Sequence, residues 1–469
     1  MVNLSDTTTI RTQLDNFMEQ QGLNISRFGK IAGLNAGTMS SILNGNRIMA
    51  VNQLDRITAV LALPEGYFYE QYVQEYLNEA SPNWRRIRPF LYRCAELDKL
   101  DCIRQTVDLL MDNLVYSPLL FDTAEDFFHN NKGKAAVILY ECVAESEIRQ
   151  HSERLALCHY RLFLLRIREN NQTRNLRAAN QFEPYVDRLD EIDQLDALKE
   201  LANTYRSLRE WDRVEKTVNK MEQLAKVQYF EGQRIERVRR SIKKPGRPLF
   251  FYLAYSNLLR AGVSDARGDY RQALQYTYAY ADLAWVKESD EDTLHWKNLF
   301  KEWAKANTYV NKLFSGELEI LPHYVTYMEK KQDEMLLALF NILKAANRFN
   351  FNVDNILLKF EEHVSTYLER RHTLGVYNEK FVNEYSLYLF YELAEYYLAN
   401  KTDSYGFKYL LECLKTSFIM KNESYITKCM VLFENTRNLA SSDTVITYHN
   451  LMKEVFMNEK KNHTTLVSS

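Results

Sequence analysis

Apolar residues recur at three- and four-residue spacing along almost the whole chain, and clean alternation is scarce. That spacing is the mark of one-sided helices. Between residues 9 and 77 it predicts five short helices, at 9–20, 25–32, 36–43, 51–61 and 65–77. Phe28, Ile31, Met39 and Ile42 supply buried faces for the second and third. Val51, Leu54, Ile57 and Leu61 do the same for the fourth. Ser81-Pro82-Asn83 then interrupts the pattern and marks the best domain boundary. From Trp84 to about Lys460, helix follows helix, with breaks at Asn130-Asn131-Lys132-Gly133, Asn170-Asn171-Gln172 and Lys244-Pro245-Gly246-Arg247.

Composition supports an all-α class: 14 Gly and 8 Pro in 469 residues leave few strand punctuators. The net charge of -2 says nothing about nucleic acid, so local charge decides. Six cysteines (Cys94, Cys102, Cys142, Cys158, Cys413, Cys429) form no CxxC pair and lie on apolar helix faces. They predict reduced, buried thiols in a cytoplasmic protein. The N-terminus lacks a basic-then-apolar signal pattern, and no apolar run reaches the ~18 residues of a membrane span. No membrane partner is expected.

The stretch LNISRFGKIAGLNAGTMSSILNG, from Leu23 to Gly45, carries the sharpest signal. It reads as a helix, a turn at Gly33 and a second helix beginning at Asn35. Gly29 stands where two crossing helices need a small residue, and Gly33 can take the φ > 0 of the turn. Asn35 suits an N-cap, and Gly45 suits the left-handed residue that stops the second helix. The pattern resembles the phage-repressor-like (Xre/Cro) helix-turn-helix over residues 9–63. That resemblance implies a second helix lying in the DNA major groove, with Asn35, Ala36, Gly37, Thr38, Ser40, Ser41 and Asn44 facing the duplex. Arg27, Lys30 and Arg47 would clamp phosphates. The match departs from the pattern at Ile25, where such repressors often place a phosphate-binding Gln. The second helix also offers no Arg, Gln or Lys for bidentate base contacts. Segment 11–56 holds five basic residues (Arg11, Arg27, Lys30, Arg47, Arg56) against three acids. Backbone docking, hydroxyl contacts and shape readout are therefore expected, with dimerisation supplying affinity. A helix-turn-helix kept for protein contacts is the alternative.

Beyond residue 80 the chain carries degenerate two-helix repeats. In LANTYRSLREWDRVEKTV, Leu201, Ala202, Tyr205, Trp211 and Val214 fall at the packing positions of a tetratricopeptide repeat. In RAGVSDARGDYRQALQY, Ala261, Gly268, Tyr270, Ala273 and Leu274 do so. Residues 393–414 give a looser third case, and 133–147 the second helix of another pair. The expected fold is all-α: a helix-turn-helix head over 1–80, then a tetratricopeptide-like right-handed α-solenoid over 81–469 that senses and dimerises.

This combination resembles the RRNPP family of Gram-positive peptide-pheromone receptors and phage arbitrium receptors. The resemblance implies a DNA-binding transcription regulator, a homodimer, controlled by a short signalling peptide in the repeat groove. Candidate peptide contacts are Asn203, Arg206, Asn257, Asp265, Asn298 and Asn307, since amides can pair with both N–H and C=O of an extended peptide. Taken singly, each reads first as an ordinary exposed polar residue. The alternative function is a regulator or scaffold whose repeats bind a protein partner.

Further features stay open. Arg85, Arg86 and Arg88 could add phosphate contacts. The run RIERVRRSIKKPGR (234–247) could touch DNA, an anionic ligand or an acidic partner, or be a solvated loop. Tyr385, Tyr388, Phe390, Tyr391 and Tyr397 are candidates for a dimer surface or for core packing. HExxH, GxSxG, Walker A and GxGxxG motifs are absent. His151, His159 and His363 have no second ligand at metal spacing. Neither catalysis, metal nor cofactor is implied.

Overall fold

The computed structural model describes residues 9–78, 82–111, 113–150, 152–167, 171–231, 245–331, 334–361, 376–420 and 422–453. Every regular element among the described residues is helical. The chain divides into two compact units, Met1–Leu259 and Arg260–Ser469. No helix among the described residues is long and apolar enough to cross a membrane.

The first unit opens with α1 (Ile10–Gln20), α2 (Ile25–Ile31), α3 (Ala36–Leu43) and α4 (Val51–Val60). Their starts are set locally. Thr9, Asn24 and Asn35 each accept a hydrogen bond from the backbone N–H three residues on. The expected fifth helix is shorter. Pro64–Tyr69 forms turns, with the Tyr67 N–H on the Pro64 carbonyl and the Tyr69 N–H on the Gly66 carbonyl. Regular helix begins only at α5 (Tyr69–Tyr72), which runs into a π-helical turn, Val73–Leu77. From that turn Glu75 reaches back, and both its carboxylate oxygens accept the Ile10 N–H, at 3.1 and 3.2 Å.

Ile10, Leu14, Phe28, Met39, Ile42, Leu54 and Ile57 are fully buried. Ile31, expected inside, is 59% exposed. The inward ridge of α2 runs from Phe28 to Ala32 and leaves Ile31 turned outward.

The core does not stop at residue 80. One continuous buried cluster runs from Ile10 to Leu162. Asn83 caps α6 (Trp84–Glu96), and α7 (Leu100–Asp108) follows. The rings of Tyr69 and Tyr72 lie on Phe90 of α6, with centroids 5.1 and 5.2 Å apart. Asp55 of α4 accepts from the Tyr69 hydroxyl at 2.7 Å and from Arg93 Nε of α6 at 3.0 Å. Arg93 also reaches Glu65 and Glu96. The unit continues through α8 (Ser117–His129), α9 (Gly133–Ser146), α10 (Glu153–Arg166), α11 (Gln172–Phe182), α12 (Glu191–Ser207) and α13 (Trp211–Lys226).

The division between units falls inside the helix Leu249–Ala266. The second unit then holds helices Tyr270–Ala281, Glu291–Phe314, Leu321–Glu329, Met335–Phe349, Val376–Ala399, Asp403–Ile419, Glu423–Thr436 and 442–453. Its buried clusters include one centred on Leu339, Ile342 and Leu343 and another on Leu410, Cys413 and Leu414.

One hairpin geometry recurs in both units. Helices end on a left-handed residue at Asp98, Asn131, Arg209, Gly268 and Lys401. The next residue (Lys99, Lys132, Glu210, Asp269, Thr402) has φ between -81 and -106 and ψ between 49 and 74, and starts the following helix. Its N–H bonds the carbonyl five residues back, on Cys94, Phe127, Tyr205, Ser264 and Tyr397, at 2.8–3.0 Å. Seven residues before each left-handed residue stands Leu91, Ala124, Ala202, Ala261 or Ala394, and five after it Ile103, Ala136, Val214, Ala273 or Gly406. All ten are buried. The three windows and the second helix read from the sequence are four of these hairpins; α6–α7 is a fifth.

Candidate functional site

The α2–α3 pair is built by close approach. A Cβ on Gly29 would stand 2.9 Å from the Leu34 carbonyl oxygen, so no larger residue fits without moving backbone. Gly33 takes φ 67, and the Leu34 N–H returns to the Gly29 carbonyl at 2.7 Å, closing the end of α2. Arg56 of α4 donates from Nη1 to the Gly33 carbonyl at 3.1 Å. Arg11 packs its guanidinium against Gly45 at the end of α3, where a Cβ would come within 2.7 Å of it.

Of the five basic residues, Arg56 is thus bonded to the turn and Arg11 is packed against Gly45 at the other end of α3. The other three, Arg27, Lys30 and Arg47, are exposed and make no ion pair among the described residues. Asn35, Ala36, Gly37 and Asn44 are exposed, while Thr38, Ser40 and Ser41 are half-buried. Several polar groups are already engaged. Asn35 Oδ1 accepts the Thr38 N–H at 2.7 Å, Ser41 Oγ donates to the Gly37 carbonyl, and Asn44 Nδ2 donates to Ser40 Oγ at 3.3 Å. The outer face of α3 is therefore low, small-chained and hydroxyl-rich, with three cations around it and the apolar Ile31 beside Lys30.

The groove candidates fall in both units. In the first, the Tyr255 hydroxyl donates to Asn203 Oδ1 at 2.6 Å, fixing one end of that amide. Asn257, half a turn from Tyr255, reaches only its own helix, at the Leu253 carbonyl. Arg206 is exposed. In the second unit, Asn307 Nδ2 donates to the Tyr280 hydroxyl at 2.8 Å, and Asn298 is exposed. Asp265 keeps an exposed edge, yet the protein crowding its carboxyl raises its pKa, with Lys344 pulling the other way.

The sequence reading missed a set of amides on neighbouring helices. Asn311 donates to Thr277 Oγ1 at 3.1 Å, and Asn347 Nδ2 donates to both the backbone carbonyl and Oε2 of Glu392, at 3.0 and 2.9 Å. Burial pushes the Glu392 carboxyl up to about 7; Asn347, Lys344 and Lys428 oppose the shift and Glu395 adds to it. An amide inside the apolar run LALFNILKAANRF was the available signal.

Other candidates resolve plainly. Arg88 pairs with Asp126 at 3.4 Å. Arg85 is exposed and Arg86 half-buried. Residues 234–244, His151 and His363 lie outside the described residues, as does the side chain of Tyr385. Phe390 is buried, and Tyr388 and Tyr397 stack on Tyr425 and Tyr409 within the second unit. His159 stacks on Tyr185 at 3.7 Å, and burial with Arg166 and Arg188 holds its pKa down at about 4. The carboxylates of Glu153, Asp190 and Asp193 gather within 4.8 Å, but Asp190 is the N-cap of α12.

No family model matches the chain, and no curated protein matches it. The chain is similar to a solved structure. Its title is "Circular tandem repeat protein with novel repeat topology and enhanced subunit contact surfaces"; it shares 10% identity, with 98% of this chain and 95% of that chain covered. The TM-score is 0.19, too low to carry an argument about shape or function.

Proposed function

We propose that this protein is a DNA-binding transcription regulator whose hairpin repeats receive a short signalling peptide. The observation that carries the DNA half is the α2–α3 turn. Gly29 admits the crossing, Gly33 makes the turn, and the exposed α3 face is ringed by the unpaired Arg27, Lys30 and Arg47. α3 enters the major groove with its short side chains, so its backbone approaches closely, and the three cations hold phosphates. The five like hairpins are tetratricopeptide-like, and their first helices carry the amides Asn203 and Asn257. A peptide that prefers one arrangement of the repeats shifts the DNA-competent population.

A second reading has one observation in its favour. Ile31 is exposed beside the same face, which suits an α2–α3 surface that meets a protein.

One experiment separates them. Purified protein is incubated with sheared genomic DNA, and the retained fragments are sequenced. A sharp two-fold-symmetric site supports the regulator, and Thr38→Glu with Ser41→Glu should abolish its retention while circular dichroism stays unchanged. Retention by the double variant overturns the placement of α3. No enrichment, with or without spent culture medium, leaves the protein-binding reading.

A further inference from the structure

The second unit holds two thiols in contact. Cys413, on helix Asp403–Ile419, and Cys429, on helix Glu423–Thr436, place their Sγ atoms 3.3 Å apart, and both are fully buried. The Cys413 thiol also donates to the Leu387 carbonyl at 3.5 Å. A disulfide needs about 2.0 Å between sulfurs, a distance within reach of a small side-chain rotation from this starting point.

The Cys429 sulfur and burial push the Cys413 thiol well above its ordinary pKa, and Lys428 pulls the other way. Glu392 and Lys428 both lie within electrostatic reach of Cys413. The Lys428 ammonium rests over the rings of Tyr425 and Tyr391, 4.5 and 5.4 Å from their centroids, with no carboxylate within ion-pair distance among the described residues. Lys428 is exposed, and its charge lowers the Cys413 pKa against the effects of Cys429 and burial. Glu392 is 8% exposed and tied on one oxygen by Asn347. A buried carboxyl poised near neutrality is suited to taking a proton. Cys142 and Cys158 are likewise buried and pushed up by that burial, and differ from Cys413 in having no sulfur partner.

We propose that Cys413 and Cys429 form a redox modification site that a hydroperoxide converts to a reversible disulfide, with Glu392 as proton acceptor and Lys428 favouring the thiolate. Local opening of helix Glu423–Thr436 admits the oxidant. The Cys429 thiolate attacks one peroxide oxygen, the O–O bond breaks, and an alcohol or water leaves once protonated. Cys429 is then a sulfenic acid. The Cys413 sulfur attacks that sulfur, its proton passes to Glu392, and the hydroxyl departs as water with a proton returned from the site. Two thiols supply the two electrons that reduce the peroxide. A dithiol reductant reverses the step by thiol–disulfide exchange.

The test uses the full chain. Folded protein is treated with hydrogen peroxide, quenched by an alkylating agent, and weighed intact and after digestion. The expected result is loss of the mass of two hydrogens, a linked peptide containing Cys413 and Cys429, and full reversal by dithiothreitol. Glu392→Gln should slow linkage about tenfold or more and flatten its pH profile near neutrality. Lys428→Met should move that profile to higher pH. Cys413→Ser should instead leave Cys429 trapped as an overoxidised thiol. The proposal falls if both thiols remain alkylatable at peroxide doses that oxidise methionine, if Cys94 and Cys102 link instead, or if linkage appears only after denaturation. Unchanged rate and pH profile in both charge variants would remove Glu392 and Lys428 from it.

Discussion

Single residues carry two measurable strains. Ala62, just past α4, sits at φ 54, where a Cβ is crowded by its own backbone. The Leu63 N–H closes on the Thr58 carbonyl at 3.2 Å, so the turn is otherwise sound. Ala62→Gly should raise stability by about 1 kcal/mol, read as a higher urea midpoint with unchanged slope; a drop would show that the left-handed turn is unstrained. Glu392 is the second. Its folded pKa of about 7 stands above the ordinary 4.5, so the folded state holds the proton more tightly than the unfolded one. Stability should therefore fall as pH rises from about 4.5 to about 7, with the full cost, on the order of 3 kcal/mol, present above that window. Glu392→Gln should remove the slope and make the protein more stable at pH 8 than the parent, as thermal melts across pH would show.

At the scale of elements, the α2–α3 crossing depends on one missing side chain. Gly29→Val should cost about 2 kcal/mol or more, because the obstacle is the Leu34 carbonyl, which is backbone. Chemical denaturation of the first unit measures this, and a neutral result would mean that the helices separate freely. Elements were legible where their causes are local. The caps Asn24 and Asn35 stand next to the helices they start, and the limits of the first four helices came out within a residue of those expected, whereas the fifth starts four residues late. Ile31 was misread because exposure depends on which ridge the rest of the head covers, not on spacing. The α6–α7 hairpin escaped notice because its turn uses Asp98 in the left-handed conformation, a residue that announces no turn by itself. The Asn347–Glu392 clasp joins positions 45 residues apart, and no local pattern records it. In the candidate DNA face, the identity of the exposed residues could be read, but not that two cations are consumed within the head, Arg56 on the Gly33 carbonyl and Arg11 against Gly45.

At the scale of the molecule, that consumption limits how strongly the proposed dimer grips DNA. Three phosphate clamps per head, Arg27, Lys30 and Arg47, make six for two heads. The logarithm of the association constant should then fall against the logarithm of salt with a slope of about -5. Fluorescence anisotropy on the captured site, over a series of potassium chloride concentrations, gives the slope. A value near -9 would mean that further basic residues, such as Arg85 or those of 234–247, also touch the backbone. Arg47→Ala should lower the slope by about 2 in a dimer, equally on specific and random DNA.

The unbroken core from Ile10 to Leu162 has a consequence for the order in which the protein comes into being. A ribosome delivers the α1–α4 bundle before α6. Until α6 emerges, Tyr69 and Tyr72 have no Phe90 to lie on, and Asp55 has no Arg93. The nascent head waits, partly uncovered, for partners encoded downstream, and it finishes together with the hairpins that follow it. The later hairpins face no such delay, since each turn is closed by an N–H bonding five residues back and can form as soon as its two helices are made. The α1–α4 bundle, made before these hairpins, is among the later segments to mature.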